Sequence, residues 1–225
     1  MSKKLSELFY ECAYVDNWQE VGDDVNYKFV EEDDTLYIYF EGSSSITDWV
    51  RNFLFKKKPY HDMEVSYRVH SGFLAAWKEV EDIIIAKICE DDSDGNYRWK
   101  HIVVVGYSHG GALSGLCHEC VWYWRPDLRE DGLEGYGFES PRFYGCIFVK
   151  KELKERWERY TVIRCNNDIV THCPPDIFGY VHVGHILKIK GDISLVDSKW
   201  TPRCVKSHYP QVVYDGLLKY EKEND

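Results

Sequence analysis

Residues 101–113 read HIVVVGYSHGGAL. The β-branched run Ile102 to Val105 stops at Gly106, and Ser108 then stands between Gly106 and Gly110 in a G-x-S-x-G frame, with Gly111 directly behind. An apolar run this short has the character of a buried, parallel strand. The segment GALSGLCHECVWYW continues as a helix that Pro126 closes. A serine at the apex of a strand–turn–helix is the setting of a nucleophile elbow. The glycines have a steric purpose, because side chains beside the serine would collide with strand and helix. The helix N-terminus faces the serine and favours negative charge developing there.

The same alternation extends outward. TLYIYF (Thr35 to Phe40) reads as a strand after the acidic turn EEDD. Leu74, Trp77, Val80, Ile84, Ile85 and Ile88 recur at helical spacing and predict a helix from about Phe73 to Cys89. YTVIRC and HILKIKG read as strands, and HYPQVVYDGLLKYEK as a C-terminal helix. Strands alternating with helices predict an α/β fold on a largely parallel central sheet. A chain of 225 residues is expected to form a single domain over residues 1–225.

Composition narrows the function classes. Hydrophobic residues make up 44% and charged residues 29%, an ordinary globular balance. The 38 acidic side chains exceed the 28 basic ones, and a net charge of -10 repels nucleic acid and anionic lipid. Lys56 to Lys58 form the longest basic run, expected as a solvated loop. Glu7 and Glu11 interrupt any apolar core of a signal peptide, and no apolar run has the length to span a bilayer. Eight cysteines without a secretion signal point to reduced thiols and a cytoplasmic location. Cys117 and Cys120 in CHEC have metal-ligand spacing, but no second pair stands at zinc-ribbon distance; they are expected as core-facing thiols, with no metal site. The aromatic run VWYW is likewise read as core. Neither a G-x-G-x-x-G after a strand nor a glycine run ending in Gly-Lys-Ser/Thr occurs, so no nucleotide cofactor is expected.

A serine hydroxyl is a poor nucleophile until a histidine takes its proton and a carboxylate holds that histidine in one tautomer. On such sheets the chain order is serine, acid, histidine. Asp168, in VIRCNNDIVTHCPP, follows a strand on a loop, where the acid is needed. His172, His182, His185 and His208 lie downstream, and pattern alone leaves the choice among them open. Glu139 in GFESPR is a weaker acid candidate, read rather as part of a strand-to-turn packing motif with Pro141. Further upstream, Ile46, Trp49, Val50, Phe53 and Leu54 share one helical face, opposite Thr47, Asp48, Arg51 and Asn52, and Ser45 with Asp48 has the form of a capping box. By itself this stripe reads as a short helix packed on the core, and the serines of GSSS before it as a turn ending the strand.

YFEGSSSITDW, VHSGFLAAW, VVVGYSHGGAL, GFESPR and NNDIVTHCPPDIFGYVHVG resemble successive blocks of the class 3 lipases, the family of the filamentous-fungal triacylglycerol lipases. The blocks stand in family order and cover most of the chain from about Thr35 to Tyr209. The resemblance implies an α/β-hydrolase fold, with Ser108 as nucleophile, Asp168 as acid and His208 as base. His172 and His182 then match structural positions. It implies Ser43 and the N–H of His109 as oxyanion donors, and a lid-like helix after the oxyanion strand with Ile46, Trp49 and Phe53 toward the acyl chain. The implied activity is hydrolysis of carboxylic esters of acyl lipids through an acyl-enzyme, without a cofactor and with transient contact with a lipid interface. Its alternatives are a small-ester or feruloyl-type esterase, or a phospholipase, on the same scaffold, and, from another class, a non-catalytic lipid- or protein-binding module. Two departures stand out. Tyr107 and His109 flank the serine where the family usually has His and Leu, which would set an imidazole beside the acyl pocket. The family's fungal members are also secreted and disulfide-bonded, and this chain shows neither sign.

Overall fold

The computed structural model describes residues 3–22, 25–42, 56–61, 64 and 66–224. Seven of its strands form one sheet, in the order β1 (Gln19–Val21), β2 (Val25–Glu32), β3 (Thr35–Phe40), β6 (His101–Tyr107), β7 (Leu133–Phe138), β8 (Tyr160–Cys165) and β9 (His185–Ile189). β1, β2 and β3 pair antiparallel, and every pairing from β3 to β9 is parallel. A separate hairpin joins β4 (Lys57–Tyr60) to β5 (Tyr67–His70). The helices are α1 (Leu5–Tyr14), α2 (Ser71–Ile88), α3 (His109–Trp124), the short α4 (Lys151–Lys154) and α5 (Arg203–Lys206), and α6 (Pro210–Asn224). This is an α/β-hydrolase fold with a mostly parallel sheet between two helix layers.

Strand alternation sends side chains to both layers. Leu36, Ile38 and Phe40 of β3 and Ile102 and Val104 of β6 bury against Trp77, Val80 and Ile84 of α2 and Leu113, Leu116 and Val121 of α3. Tyr37, Tyr39, Val105 and Tyr107 face the other way, onto Leu8, Phe9 and Cys12 of α1 and Val212, Val213 and Leu217 of α6. Cys117 and Cys120 are fully buried in the first of these cores, as the helical reading of CHEC required, and all eight cysteines are free thiols. No described helix is long and apolar enough to cross a membrane.

The strands over Thr35–Phe40 and Tyr160–Cys165 lie where the sequence predicts them, and the last helix begins at Pro210 rather than His208. Pro is well suited to a first helical position, and this leaves His208 on the connection from α5. β7, LEGYGF, has no strand signal because glycine is depleted in strands. Its Gly135 answers to packing instead: a Cβ there would come within 2.5 Å of both His118 on α3 and Tyr160 on β8. Residues 43–55, which hold Ser43 and the expected lid-like helix with Ile46, Trp49 and Phe53, lie outside the described residues.

Candidate active site

The site begins with backbone geometry at the carboxyl end of β6. Ser108 has φ 55° and ψ -120°, a left-handed conformation that a non-glycine residue adopts at a cost of about 1–3 kcal/mol. The elbow is as tight as its glycines suggest. A Cβ on Gly106 would fall 2.0 Å from the Gly110 carbonyl oxygen, and one on Gly110 would fall 2.3 Å from that of Phe40. Strand β6 therefore turns directly into α3, with the serine at the crest and the helix N-terminus beneath it. Gly42, at the end of β3, packs against the same point, since a Cβ there would lie 3.2 Å from the Ser108 Cβ.

Three residues from distant stretches meet at this crest. His208 Nε2 lies 2.8 Å from Ser108 Oγ. On the other side of the ring, Nδ1 lies 2.6 Å from Asp168 Oδ2. Oδ1 of Asp168 accepts a hydrogen bond from the Val170 N–H at 3.0 Å. With the carboxylate at Nδ1, the imidazole is assigned its proton on Nδ1, so Nε2 is the acceptor for the serine hydroxyl. Asp168 and His208 are fully buried and Ser108 nearly so, which strengthens each interaction by excluding water.

The neighbouring groups hold this arrangement. Tyr107, on the β6 face that looks toward α6, donates its hydroxyl to the His208 carbonyl and stacks its ring on the imidazole, with centroids 5.2 Å apart and planes 22° from parallel. Sequence reading noted Tyr107 only as a departure beside the serine. The strand period was the available signal, because Val103, Val105 and Tyr107 alternate to one side. The other histidines brace the loop that carries Asp168. His172 Nδ1 lies 2.8 Å from the Asp168 carbonyl oxygen and its Nε2 lies 2.7 Å from Arg164, while His182 Nε2 lies 2.8 Å from the Thr171 carbonyl oxygen. Burial lowers the His182 pKa to about 3. His185 is exposed on β9, away from this cluster.

Glu139 completes the buried surroundings. One ligand-type atom each from Glu139, Asp168 and His208 lie within 4.8 Å of one another. The cluster does not have the character of a metal site: Nδ1 is engaged with Asp168, Nε2 faces the serine, and all three residues are sealed from solvent. His109, the first residue of α3, is buried and sets its ring 5.4 Å from that of Phe73. The orphan N–H groups of a helix's first turn make this end suited to an anion.

Known proteins share this architecture. The family model described as lipase (class 3) matches residues 37–178, more than half of the chain. A lipase of Rhizomucor miehei is 30% identical over 154 residues, 68% of this chain and 41% of its own length. A secreted mono- and diacylglycerol lipase of Fusarium solani is 32% identical over 149 residues, 65% of this chain and 41% of its own. The chain thus spans about two-fifths of the length of these curated relatives. Among solved structures, a triacylglycerol lipase whose catalytic centre is a serine-protease triad superposes with a TM-score of 0.70 at 25% identity, over 89% of this chain and 82% of the other. The Rhizomucor miehei triacylglyceride lipase gives 0.67 at 26% identity over the same shares.

Proposed function

The chain belongs to the class 3 lipase family, and we propose on that premise that it hydrolyses carboxylic esters of acyl lipids, with Ser108 as nucleophile, His208 as general base and acid, and Asp168 as the orienting carboxylate. The continuous hydrogen-bonded line from Ser108 Oγ through both ring nitrogens of His208 to Asp168 carries this reading. His208 Nε2 takes the serine proton as Oγ bonds to the ester carbonyl carbon, and the carbonyl π electrons move to oxygen. His208 then delivers that proton to the alcohol oxygen as the carbon–oxygen bond breaks, leaving an acyl-serine. A water molecule attacks the acyl carbon while giving its proton to Nε2, and the proton returns to Ser108 as the fatty acid leaves.

The developing oxyanion needs donors aimed in advance. We assign the first to the N–H of His109, at the N-terminus of α3. The second is Ser43, and Gly42 supports it by bringing the end of β3 against Ser108. Ile46, Trp49 and Phe53 are proposed to wall the acyl cleft and touch the lipid surface. Simultaneous replacement of the two aromatic residues, Trp49→Ala with Phe53→Ala, is expected to lower activity on long-chain esters more than on short ones. No cofactor enters these steps. The eight free thiols favour a reducing compartment, in contrast to the Fusarium solani relative described as secreted; fractionation of the source cells tests this.

Acyl lipids are preferred over small esters because the lipase relatives act on acylglycerols by name. Hydrolysis of p-nitrophenyl esters from short to long chain, by wild type and Ser108→Ala side by side, tests both chemistry and chain length. Loss of activity in the variant with a preference for long chains is expected. Activity confined to the shortest esters would favour an esterase, and absence of both turnover and fluorophosphonate labelling would favour a binding module.

A further inference from the structure

Beneath the Asp168–His208 pair lies a second carboxyl that the reaction above does not use. Glu139 follows β7 and is fully buried. Its backbone has φ 49°, a left-handed conformation that persists in a non-glycine residue only where its surroundings hold it. The holding contacts are specific: the Glu139 N–H donates to the Ile163 carbonyl, and Oε1 accepts from the Cys165 N–H. Oε2 is buried, with no donor facing it among the described residues. The Glu139 and Asp168 carboxyls are neighbours, with an oxygen of each within 4.8 Å of the other.

Two carboxylates at this separation in a sealed site cannot both ionise unless a cation lies between them. The groups that sense Glu139 are Asp168, His208, Cys165, Tyr107 and Arg164. Cys165 and Tyr107 are themselves buried. Arg164 is the cation of the set, and it is directed elsewhere, its Nε donating to Thr171 Oγ1 and its Nη2 facing His172. Asp168 is the member of the pair with donors to stabilise its charge, from Val170 and from His208. Glu139 has one backbone donor, on Oε1.

We propose that Glu139 is a positioning residue that keeps its proton at neutral pH and donates it in a hydrogen bond to Asp168, holding that carboxylate toward His208. The inference rests on the reading of Asp168 as the triad acid. Burial first, and then the Asp168 charge, push the Glu139 pKa well above the usual carboxylate range, in agreement with the geometry. A proton on Oε2 turns an orphaned acceptor into a donor. It also leaves the site with a single negative charge, matched to the imidazolium that forms in each half-reaction.

The test compares Glu139→Ala with Glu139→Gln, whose amide reproduces both the Oε1 acceptor and a donor toward Asp168. Glu139→Ala is expected to lower kcat about tenfold at unchanged KM, the loss of one hydrogen bond to a charged group. Glu139→Gln is expected to restore most of that loss without displacing the pH profile between pH 5 and 8, since one neutral group replaces another. Infrared difference spectra of wild type minus Glu139→Gln at pH 7 are expected to contain a protonated carboxyl C=O band. A carboxylate band in its place, a displaced pH profile, or a Glu139→Gln defect as deep as that of Asp168→Asn would each overturn the proposal. The infrared readout does not depend on turnover. Full activity in Ser108→Ala would therefore remove the proposed catalytic reading while leaving the protonation of Glu139 decided on its own.

Discussion

Two clusters of ionisable groups buried among the described residues end differently. At the carboxyl end of the sheet, Asp168 binds His208, and His208 presents its second nitrogen to Ser108 on a strained turn. Between α3 and the β4–β5 hairpin, Glu119 is just as buried, yet both its oxygens are occupied, Oε1 by Arg156 at 2.8 Å and Oε2 by the Tyr67 hydroxyl. Close by, the Tyr60 hydroxyl and Trp77 Nε1 both donate to Glu81 Oε1, each at 3.0 Å. Buried charge alone therefore does not make a site. The second cluster runs from carboxylate to guanidinium and phenol and stops in the core. The first runs from carboxylate through imidazole to a serine hydroxyl at the edge of the sheet. Burial pushes the Glu119 pKa up to about 7, against the opposing pull of Tyr67 and Arg156.

This contrast is broken most severely if the wrong cluster controls the chemistry. Ser108→Ala is expected to reduce ester hydrolysis by roughly 10⁴- to 10⁶-fold and Asp168→Asn by about 10⁴-fold, with little change in the thermal midpoint. Steady-state kinetics with calorimetry checks both. Arg156→Met should do the opposite. It leaves the Glu119 carboxyl buried without its cation, where it takes up a proton and lacks a donor, at a cost of about 1–3 kcal/mol in denaturant unfolding, while kcat/KM per folded molecule stays at the wild-type value. A collapse of kcat/KM in that variant would join the two clusters functionally.

Histidines sharpen the comparison at a smaller scale. His118, buried on α3 beside Tyr160, has its pKa lowered to about 3 by desolvation. The folded value lies below the ordinary 6.5, so the stability it contributes is present above pH 6.5 and is lost as the pH falls toward 3. Between pH 6.5 and 5 the loss is about 2 kcal/mol. Urea titrations at the two pH values are expected to show this slope in wild type and a shallower one in His118→Phe. The smallest effect belongs to Tyr107→Phe, which keeps the ring stacked on His208 but removes the donor to its carbonyl. A loss of about 1 kcal/mol, read as a fall in kcat of up to tenfold with KM unchanged, is expected. A Tyr107→Phe variant with wild-type kcat would show that ring stacking alone positions the imidazole.

The parts of the fold that could be read from the chain are those governed by local periodicity. TLYIYF, HIVVVG and YTVIRC announce strands because β-branched and aromatic residues fill them, and α2 and α3 announce themselves through a helical apolar stripe or a closing proline. α1 and β2 have no clear local signal, since the mixed residues of LSELFYECAY and VNYKFVEE satisfy more than one pattern. β7 has no such signal because its glycines answer to His118 on α3 and Tyr160 on the neighbouring strand, and no neighbour in sequence reports that. The elbow is readable in the chain, because glycines around a serine after a buried strand have few other uses. For the acid the chain offers Asp168 with Glu139 as a lesser candidate, whereas it offers four histidines for the base, and only the family resemblance points to His208.

Local sequence therefore determined the α/β alternation, the elbow at Ser108 and the loop that carries Asp168, because each depends on backbone preference and apolar spacing within a few residues. Only the tertiary structure decided which imidazole reaches the serine, that Tyr107 braces it, and that Glu139 sits beneath Asp168. His208 is 100 residues from Ser108 and 40 from Asp168 along the chain. Contacts over such separations exist only once the sheet has assembled and water has been excluded, and burial then sets how each of these groups holds its proton.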